Sequence, residues 1–138
     1  MNVDHAGIAT DDADALADLY ADLFDAPIVH EERFGDLHVV FLDFGDSYFE
    51  LLEPVADGGE GDAEGTEQGP IARYLDRSGP GIHHLALATG DVRAALDRAR
   101  EHGVERIDEE PRPGAWGHDV AFLHPGSTGG VLIEFVEH

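Results

Sequence analysis

Residues 79–92 read GPGIHHLALATGDV, and they resemble residues 3–16, which read VDHAGIATDDADAL, with HLALAT at His84 matching HAGIAT at His5. Both stretches place a histidine ahead of apolar residues that end in Ala-Thr, which is typical of a strand. Both then continue through acidic residues into a helical pattern. The match pairs His5 with His84 and indicates an internal repeat, in which each half begins with a strand followed by a helix.

The helix after each first strand is amphipathic. Asp11 or Asp12 can cap the first helix, and Asp91 can cap the second. Gly103 is suited to end the second helix. In the first half, five large apolar residues share one helical face: Leu16, Leu19, Tyr20, Leu23 and Phe24. In the second half, four residues do so: Val92, Ala95, Leu96 and Ala99.

The halves also end alike, each with a strand, a glycine-containing turn and a second strand. VVFLD matches VAFLH, and YFELLE matches LIEFVE, which pairs Glu50 with Glu134. One more short strand is expected in each half, near residues 28–30 and near residues 104–107. Each half is therefore predicted to be a βαβββ module. We expect an α+β fold in which the two modules, related by a pseudo-twofold axis, form a cupped mixed sheet.

The stretch between the halves, ADGGEGDAEGTEQGP, is glycine-rich and acidic, so it is expected to be a mobile surface loop. PIARYLDRSG follows, with Pro70 suited to the first position of a short helix. The sequence therefore predicts one domain over residues 1–138, built of three parts. These are module one at 1–55, the loop and short helix at 56–78, and module two at 79–138.

The charge balance is extreme, because 30 Asp and Glu face only 8 basic residues, all of them arginine, for a net charge of −22. This excess disfavours nucleic acid and anionic membranes as partners. We interpret it as adaptation to high salt, where the Debye length of about 3 Å at 1 M weakens self-repulsion. The chain has no cysteine, which excludes disulfides. Neither a signal peptide nor a membrane-length apolar run is recognised, which predicts a cytoplasmic protein.

The repeat places four residues of metal-binding type at equivalent strand positions: His5, Glu50, His84 and Glu134. Two imidazoles and two carboxylates suit Co²⁺, Zn²⁺, Ni²⁺ or Mn²⁺, and open coordination positions would make such a site catalytic. Taken singly, each residue is more often structural. Glu50 and Glu134, however, lie in strongly apolar segments, where a carboxylate is costly unless it is paired or bound to metal. His83 should point away from His84, and we interpret it as structural.

With these residues the chain resembles the vicinal oxygen chelate superfamily, and within it the methylmalonyl-CoA epimerase family. The resemblance covers nearly the whole chain and is carried by DHAGIAT, FELLEP, PIARYLDRSGPGIHHLALAT and AFLHPGSTGGVLIEFVE. It implies an enzyme that interconverts the 2R and 2S forms of methylmalonyl-CoA by removing the proton α to the thioester. It further implies a divalent metal ion, Co²⁺ first, that stabilises the enolate, a Glu134 that both binds the metal and moves protons, and a homodimer.

Epimerisation needs a second proton carrier on the opposite face of the substrate. The resemblance suggests His38, in DLHVVFL, although a solvated strand histidine is an equally good interpretation. By strand alternation His38 shares a face with Val40 and Leu42, so it points into the site only if that face lines it. Glu31 and Glu32, just before it, are weaker candidates.

Three other functions compete with this interpretation. Glyoxalase I, in the same superfamily, uses His, Glu, His and Glu in the same order, but no arginine cluster for glutathione is evident near the ligand strands. A non-catalytic binding member commonly lacks the metal ligands that are present here. An extradiol dioxygenase would use two histidines and one glutamate, commonly in a longer chain.

Overall fold

The computed structural model describes residues 1–55 and 69–138, and the acidic stretch 56–68, expected to be a loop, lies outside the described residues. The elements follow the order βαβββ, α, βαβββ, which confirms the two predicted modules. The strands are β1 (Asn2–Ala9), β2 (Ile28–Phe34), β3 (Leu37–Asp43), β4 (Tyr48–Pro54), β5 (Gly81–Ala88), β6 (Arg112–Pro113), β7 (Asp119–Phe122) and β8 (Ile133–Glu137). The helices are α1 (Ala13–Phe24), α2 (Pro70–Ser78) and α3 (Val92–Glu101), with short 3₁₀ turns at Ala115–Gly117 and Pro125–Ser127.

The chain folds into two compact units whose borders fall inside β1 and β5. One unit comprises Met1–Ala6 and His84–His138, and the other comprises Gly7–His83. In the second unit β2, β3 and β4 are antiparallel neighbours in that order. In the first unit the order is β5-β8-β7-β6, with β5 and β8 parallel and the other pairs antiparallel. Within the described residues, no helix has the length and apolar character needed to span a membrane.

The two hairpins share one register, as the repeat requires. Glu50 on β4 lies opposite Phe41 on β3, and Glu134 on β8 lies opposite Phe122 on β7. The similarity of VVFLD to VAFLH therefore extends from sequence to strand pairing. Equivalent glutamates occupy equivalent positions in their hairpins, and each is only 6% exposed.

Both long helices begin on the predicted aspartates. The Asp12 carboxylate accepts a hydrogen bond from the N–H of Ala15 at 3.1 Å, and that of Asp91 accepts one from Ala94 at 3.0 Å. Each bond satisfies one of the N–H groups that a helix leaves without an intrahelical partner. Of the two caps considered for α1, Asp12 is the one used.

A second carboxylate holds each helix start to its own hairpin. Glu53 on β4 accepts a hydrogen bond from the N–H of Ala13 at 2.9 Å, and Glu137 on β8 accepts one from Val92 at 3.0 Å. Each donor is the first residue of its helix, where negative charge also suits the helix dipole. Both hairpins thus carry a Glu-x-x-Glu sequence whose second glutamate anchors a helix.

Helix α1 buries only part of the predicted face: Leu16 and Tyr20 are partly buried and pack against the core. Ala13 and Ala17 are buried, and their small side chains let the helix pack closely against Val40, Leu42 and Leu51 of its sheet. Three residues of the predicted face are instead exposed: Leu19, Leu23 and Phe24. On α3 all four predicted residues are buried: Val92, Ala95, Leu96 and Ala99.

The strand predicted near residues 104–107 is reduced to one bridge between Arg106 and Leu123. The consecutive N–H groups of Ile107 and Asp108 both point to the carbonyl of Phe122, which ends regular strand pairing there. The second strand of this module along the chain is instead the short β6.

Candidate metal centre

Three of the four predicted ligands meet within one compact unit. His5 Nε2 lies 3.1 Å from Glu134 Oε1, and His84 Nε2 lies 3.3 Å from the same oxygen. All three residues are buried: His5 is 4% exposed, His84 is 5% exposed and Glu134 is 6% exposed. The two imidazole rings meet edge to face, with centroids 5.5 Å apart. The sequence predicted that separate strands bring these donors together. For His5, His84 and Glu134 the structure agrees.

The sheet of this unit positions His84 and Glu134. Because β5 and β8 are parallel with Ala86 opposite Glu134, His84 projects from the same face of β5 as Ala86. Phe122, the antiparallel partner of Glu134, places its ring edge to face against His84 at 5.4 Å. The Asp108 carboxylate accepts a hydrogen bond from the N–H of Phe122, which helps to hold the backbone of Phe122 in place.

The donor set fits a divalent metal ion. Ligand atoms at about 2.0–2.2 Å from such an ion, at angles of about 90–110°, lie about 2.8–3.6 Å from one another. The distances of 3.1 and 3.3 Å fall in this interval. One ligand atom from each of His5, His84 and Glu134 lies within 4.8 Å of the others. Two imidazole nitrogens and one carboxylate oxygen are ligands preferred by Co²⁺ and Zn²⁺.

Asp4 lies directly behind His5 and is itself 8% exposed. Its Oδ2 is 2.8 Å from His5 Nδ1, and its Oδ1 is 2.5 Å from Nε2 of His138. Burial raises the pKa of the Asp4 carboxyl group, but the bonds from the two histidines lower it by more, so the net pKa lies below its ordinary value.

Comparisons with known proteins identify the family. The model of the Glyoxalase/Bleomycin resistance protein/Dioxygenase superfamily matches residues 4–122. The ethylmalonyl-CoA/methylmalonyl-CoA epimerase of Cereibacter sphaeroides is 32% identical over 136 residues, which cover 96% of this chain and 94% of that one. The chain belongs to the methylmalonyl-CoA epimerase family.

Two further relatives support the same family. The mitochondrial methylmalonyl-CoA epimerase of Dictyostelium discoideum is 33% identical over 139 residues, covering 98% of this chain and 77% of that one. The crystal structure of methylmalonyl-CoA epimerase from Mycobacterium tuberculosis is 33% identical, with a TM-score of 0.84 and coverage of 99% of this chain and 87% of that one. This structural similarity confirms the predicted fold class of this epimerase family member.

The fourth predicted ligand, Glu50, lies on β4 of the other compact unit. It is as buried as Glu134 and stands opposite Phe41 in the register. The three-residue cluster does not include it, so its role as a ligand stays a prediction.

His38, the predicted second proton carrier of this epimerase family member, lies on the face of β3 that packs against α1. Its Nε2 is 3.8 Å from Oδ1 of Asp14 on that helix and 3.2 Å from Oε2 of Glu31. Its Nδ1 is 3.7 Å from Glu53, which anchors the helix. Because His38 and Phe41 are an odd number of positions apart, His38 points away from the face that carries Phe41 and its partner Glu50.

The sheet face that carries Glu50 also carries two polar residues of β2, His30 and Glu32. The register of β2 shifts between Ile28 and His30, so that His30 lies opposite Phe41 and Glu32 lies opposite Val39. Without this bulge His30 and Glu32 would point to the α1 side. They are half-buried, and His30 Nε2 is 2.6 Å from Glu32 Oε1.

Sequence reasoning missed Asp4, His138 and Phe122. A signal for Asp4 was present, because an acidic residue directly precedes a predicted histidine ligand in VDHAG. Phe122 could have been found from its pairing with Glu134 once the hairpin register was assigned. No pattern in the sequence links His138 to Asp4, because 134 positions separate them.

Proposed function

We propose that the protein is a metal-dependent epimerase that interconverts (2R)- and (2S)-methylmalonyl-CoA. The observation that supports this most strongly is the buried cluster of His5, His84 and Glu134, found in a chain that is 32–33% identical to epimerases of this kind. Such a cluster suits a reaction in which negative charge develops on substrate oxygens.

His5, His84 and Glu134 would hold the metal ion, with Glu50 as the predicted fourth ligand. Co²⁺ is the first choice, and Mn²⁺, Ni²⁺ and Zn²⁺ suit the same donors. When bound, the ion supplies Lewis-acid stabilisation of the enolate, an effect of several kcal/mol on the transition state.

Glu134 is proposed to move the proton at C2. The C2–H bond breaks, its electron pair delocalises toward the thioester carbonyl, and the proton passes to the carboxylate. Oε1 is the atom that faces both imidazoles, so the proton would be carried on Oε2. Burial of the side chain keeps bulk water away from the carboxylate during this step.

Inversion requires that a different group return a proton to the opposite face. The sequence suggested His38, with Glu31 and Glu32 as alternatives. We place Glu32 first, because it shares the face of its sheet with Glu50 and is hydrogen-bonded to His30. His38 stands beside Glu53 at the start of α1, a position that suits support of the helix.

The deciding experiment is solvent exchange at C2. Purified protein is incubated with (2R)-methylmalonyl-CoA in deuterated buffer, with each metal added in turn, and deuterium at C2 is measured together with the 2S product. Ethylmalonyl-CoA is a useful second substrate, since the Cereibacter sphaeroides relative is named for both. Absence of exchange with every metal, in protein shown to bind metal, would contradict the proposal.

The acidic composition is proposed to suit concentrated salt. Between about 0.1 M and 1 M salt the Debye length shrinks about threefold, so repulsion within a chain of net charge −22 weakens. The melting temperature should then rise with NaCl, and a flat or falling temperature would contradict this. A homodimer is proposed from the family resemblance, and light scattering of the purified protein tests it.

A further inference from the structure

Asp4 joins two histidines through its two carboxylate oxygens. Oδ2 contacts His5 Nδ1 at 2.8 Å, and Oδ1 contacts His138 Nε2 at 2.5 Å. The carboxylate is buried, and all three residues belong to the same compact unit. Asp4 therefore contacts the Nδ1 side of the His5 ring, whereas Nε2 of that ring faces Glu134 in the candidate metal centre.

The contact between the Asp4 carboxylate and His5 selects one tautomer of His5. An ionised carboxylate only accepts hydrogen bonds, so His5 must carry a proton on Nδ1. A neutral imidazole has one N–H, which leaves a lone pair on Nε2. Nε2 is the atom that lies 3.1 Å from Glu134 Oε1, in the cluster that suits a metal ion. Histidine ligands of metals are commonly oriented by a carboxylate in this way.

His138 restrains the carboxylate from its other side. Its Nε2–H donates to Asp4 Oδ1, and its ring packs against that of His118, with centroids 3.9 Å apart and 39° between the ring planes. The His138 side chain is 44% exposed, whereas that of Asp4 is 10% exposed. The outer histidine therefore reaches from the protein surface to a buried acid.

We propose that Asp4, oriented by His138, is a positioning residue that keeps the His5 proton on Nδ1 and presents Nε2 to a divalent metal ion. The inference rests on the metal centre of the proposed function and deepens it. Asp4 and His138 act through His5 and are not assigned contact with the substrate. Removing either should weaken metal binding without removing any of the three donors.

The first test is titration of the full-length protein with Co²⁺, followed by visible absorption and calorimetry. Asp4→Asn should weaken Co²⁺ binding about 10- to 100-fold, as substitutions behind metal ligands commonly do. Asp97→Asn, on the exposed surface of α3 in the same unit, removes the same charge and should leave the affinity unchanged. His138→Leu should weaken binding by a smaller factor, whereas His138→Gln keeps an N–H donor and should restore most of the affinity.

The second test needs no metal and no activity. In ¹⁵N-labelled metal-free protein, the ring nitrogen shifts should assign the His5 proton to Nδ1. Asp4→Asn and His138→Leu should each move population to the Nε2–H tautomer. An unchanged tautomer together with unchanged Co²⁺ affinity in folded His138→Leu and Asp4→Asn would overturn the inference. If the wild-type protein bound no metal, the proposed function would fail, while the tautomer measurement would still decide the role of Asp4.

Discussion

The β3–β4 and β7–β8 hairpins share a register but differ in what surrounds their first glutamate. Glu134 meets two histidine nitrogens within 3.3 Å, whereas the face that carries Glu50 also carries the bonded pair of His30 and Glu32. Backbone position and pairing are therefore retained between the halves, while the donor groups around each glutamate have diverged. Under the proposed function, Glu134 both binds the metal ion and moves the proton at C2, whereas Glu50 is a predicted metal ligand on the same sheet face as Glu32, the proposed second proton carrier.

The largest expected effect separates the two equivalent glutamates. Glu134→Gln keeps an oxygen donor but removes the proposed proton carrier, so C2 exchange should fall about 10²- to 10⁴-fold. Glu50→Gln, the matched change in the other hairpin, should retain most of the exchange rate because an amide oxygen can still act as a ligand. Deuterium incorporation at C2 measures both variants. Equal losses in the two variants would mean that the glutamates have the same role.

The second prediction tests the two faces of the β2–β3 pair. Glu32→Gln should slow epimerisation within the same range of about 10²- to 10⁴-fold and leave Co²⁺ bound. His38→Gln, on the α1 side, should change the rate far less. Conversion of the 2R to the 2S substrate, monitored by chiral analysis, gives both rates. A large loss in His38→Gln with Glu32→Gln unaffected would restore the original sequence prediction.

Metal should stabilise the unit that holds the cluster. A ligand that binds only the folded state adds about 2.7 kcal/mol to the free energy of unfolding at 100 times its Kd. Adding Co²⁺ to metal-free protein should therefore raise the melting temperature, and EDTA should reverse the rise. His84→Ala, which removes one donor, should abolish the response. Stoichiometric metal retained in both His5→Ala and His84→Ala would rule out the site.

The smallest effects concern the helix anchors that the halves share. Glu53→Ala and Glu137→Ala each remove a carboxylate bonded to the first N–H of a helix, so each should lower the free energy of unfolding by about 1–2 kcal/mol. Urea denaturation measures both. Glu109→Ala, an exposed control, should have little effect. A marked inequality between Glu53→Ala and Glu137→Ala would show that only one half depends on its anchor.

The repeat predicted the order of the elements, both helix caps and the clustering of His5, His84 and Glu134, because these depend on local pattern and on equivalent strand positions. It could not assign His38, since that assignment required the face of β3. In the repeat His38 is equivalent to Asp119, and each stands opposite the glutamate that anchors its helix. This comparison of halves would have placed His38 beside α1.

Two features that depend on tertiary packing could not be predicted from the sequence. Helical spacing alone could not show that α1 packs through Ala13 and Ala17, because the large residues Leu19 and Leu23 have the stronger apolar signal. The β2 bulge was also hidden, although it decides which way His30 and Glu32 point. Both outcomes depend on how closely neighbouring elements approach.

The Glu-x-x-Glu strand has a consequence for protein engineering. Three positions separate Glu134 from Glu137, so the two side chains project from opposite faces of β8. The Glu134 carboxylate lies in the cluster with His5 and His84, and the Glu137 carboxylate bonds to the start of α3. A designer can therefore exchange the inner donor for another ligand type while the outer glutamate keeps the framework assembled. Glu50 and Glu53 likewise project from opposite faces of β4, so the same exchange can be made at Glu50 without removing the carboxylate that anchors α1.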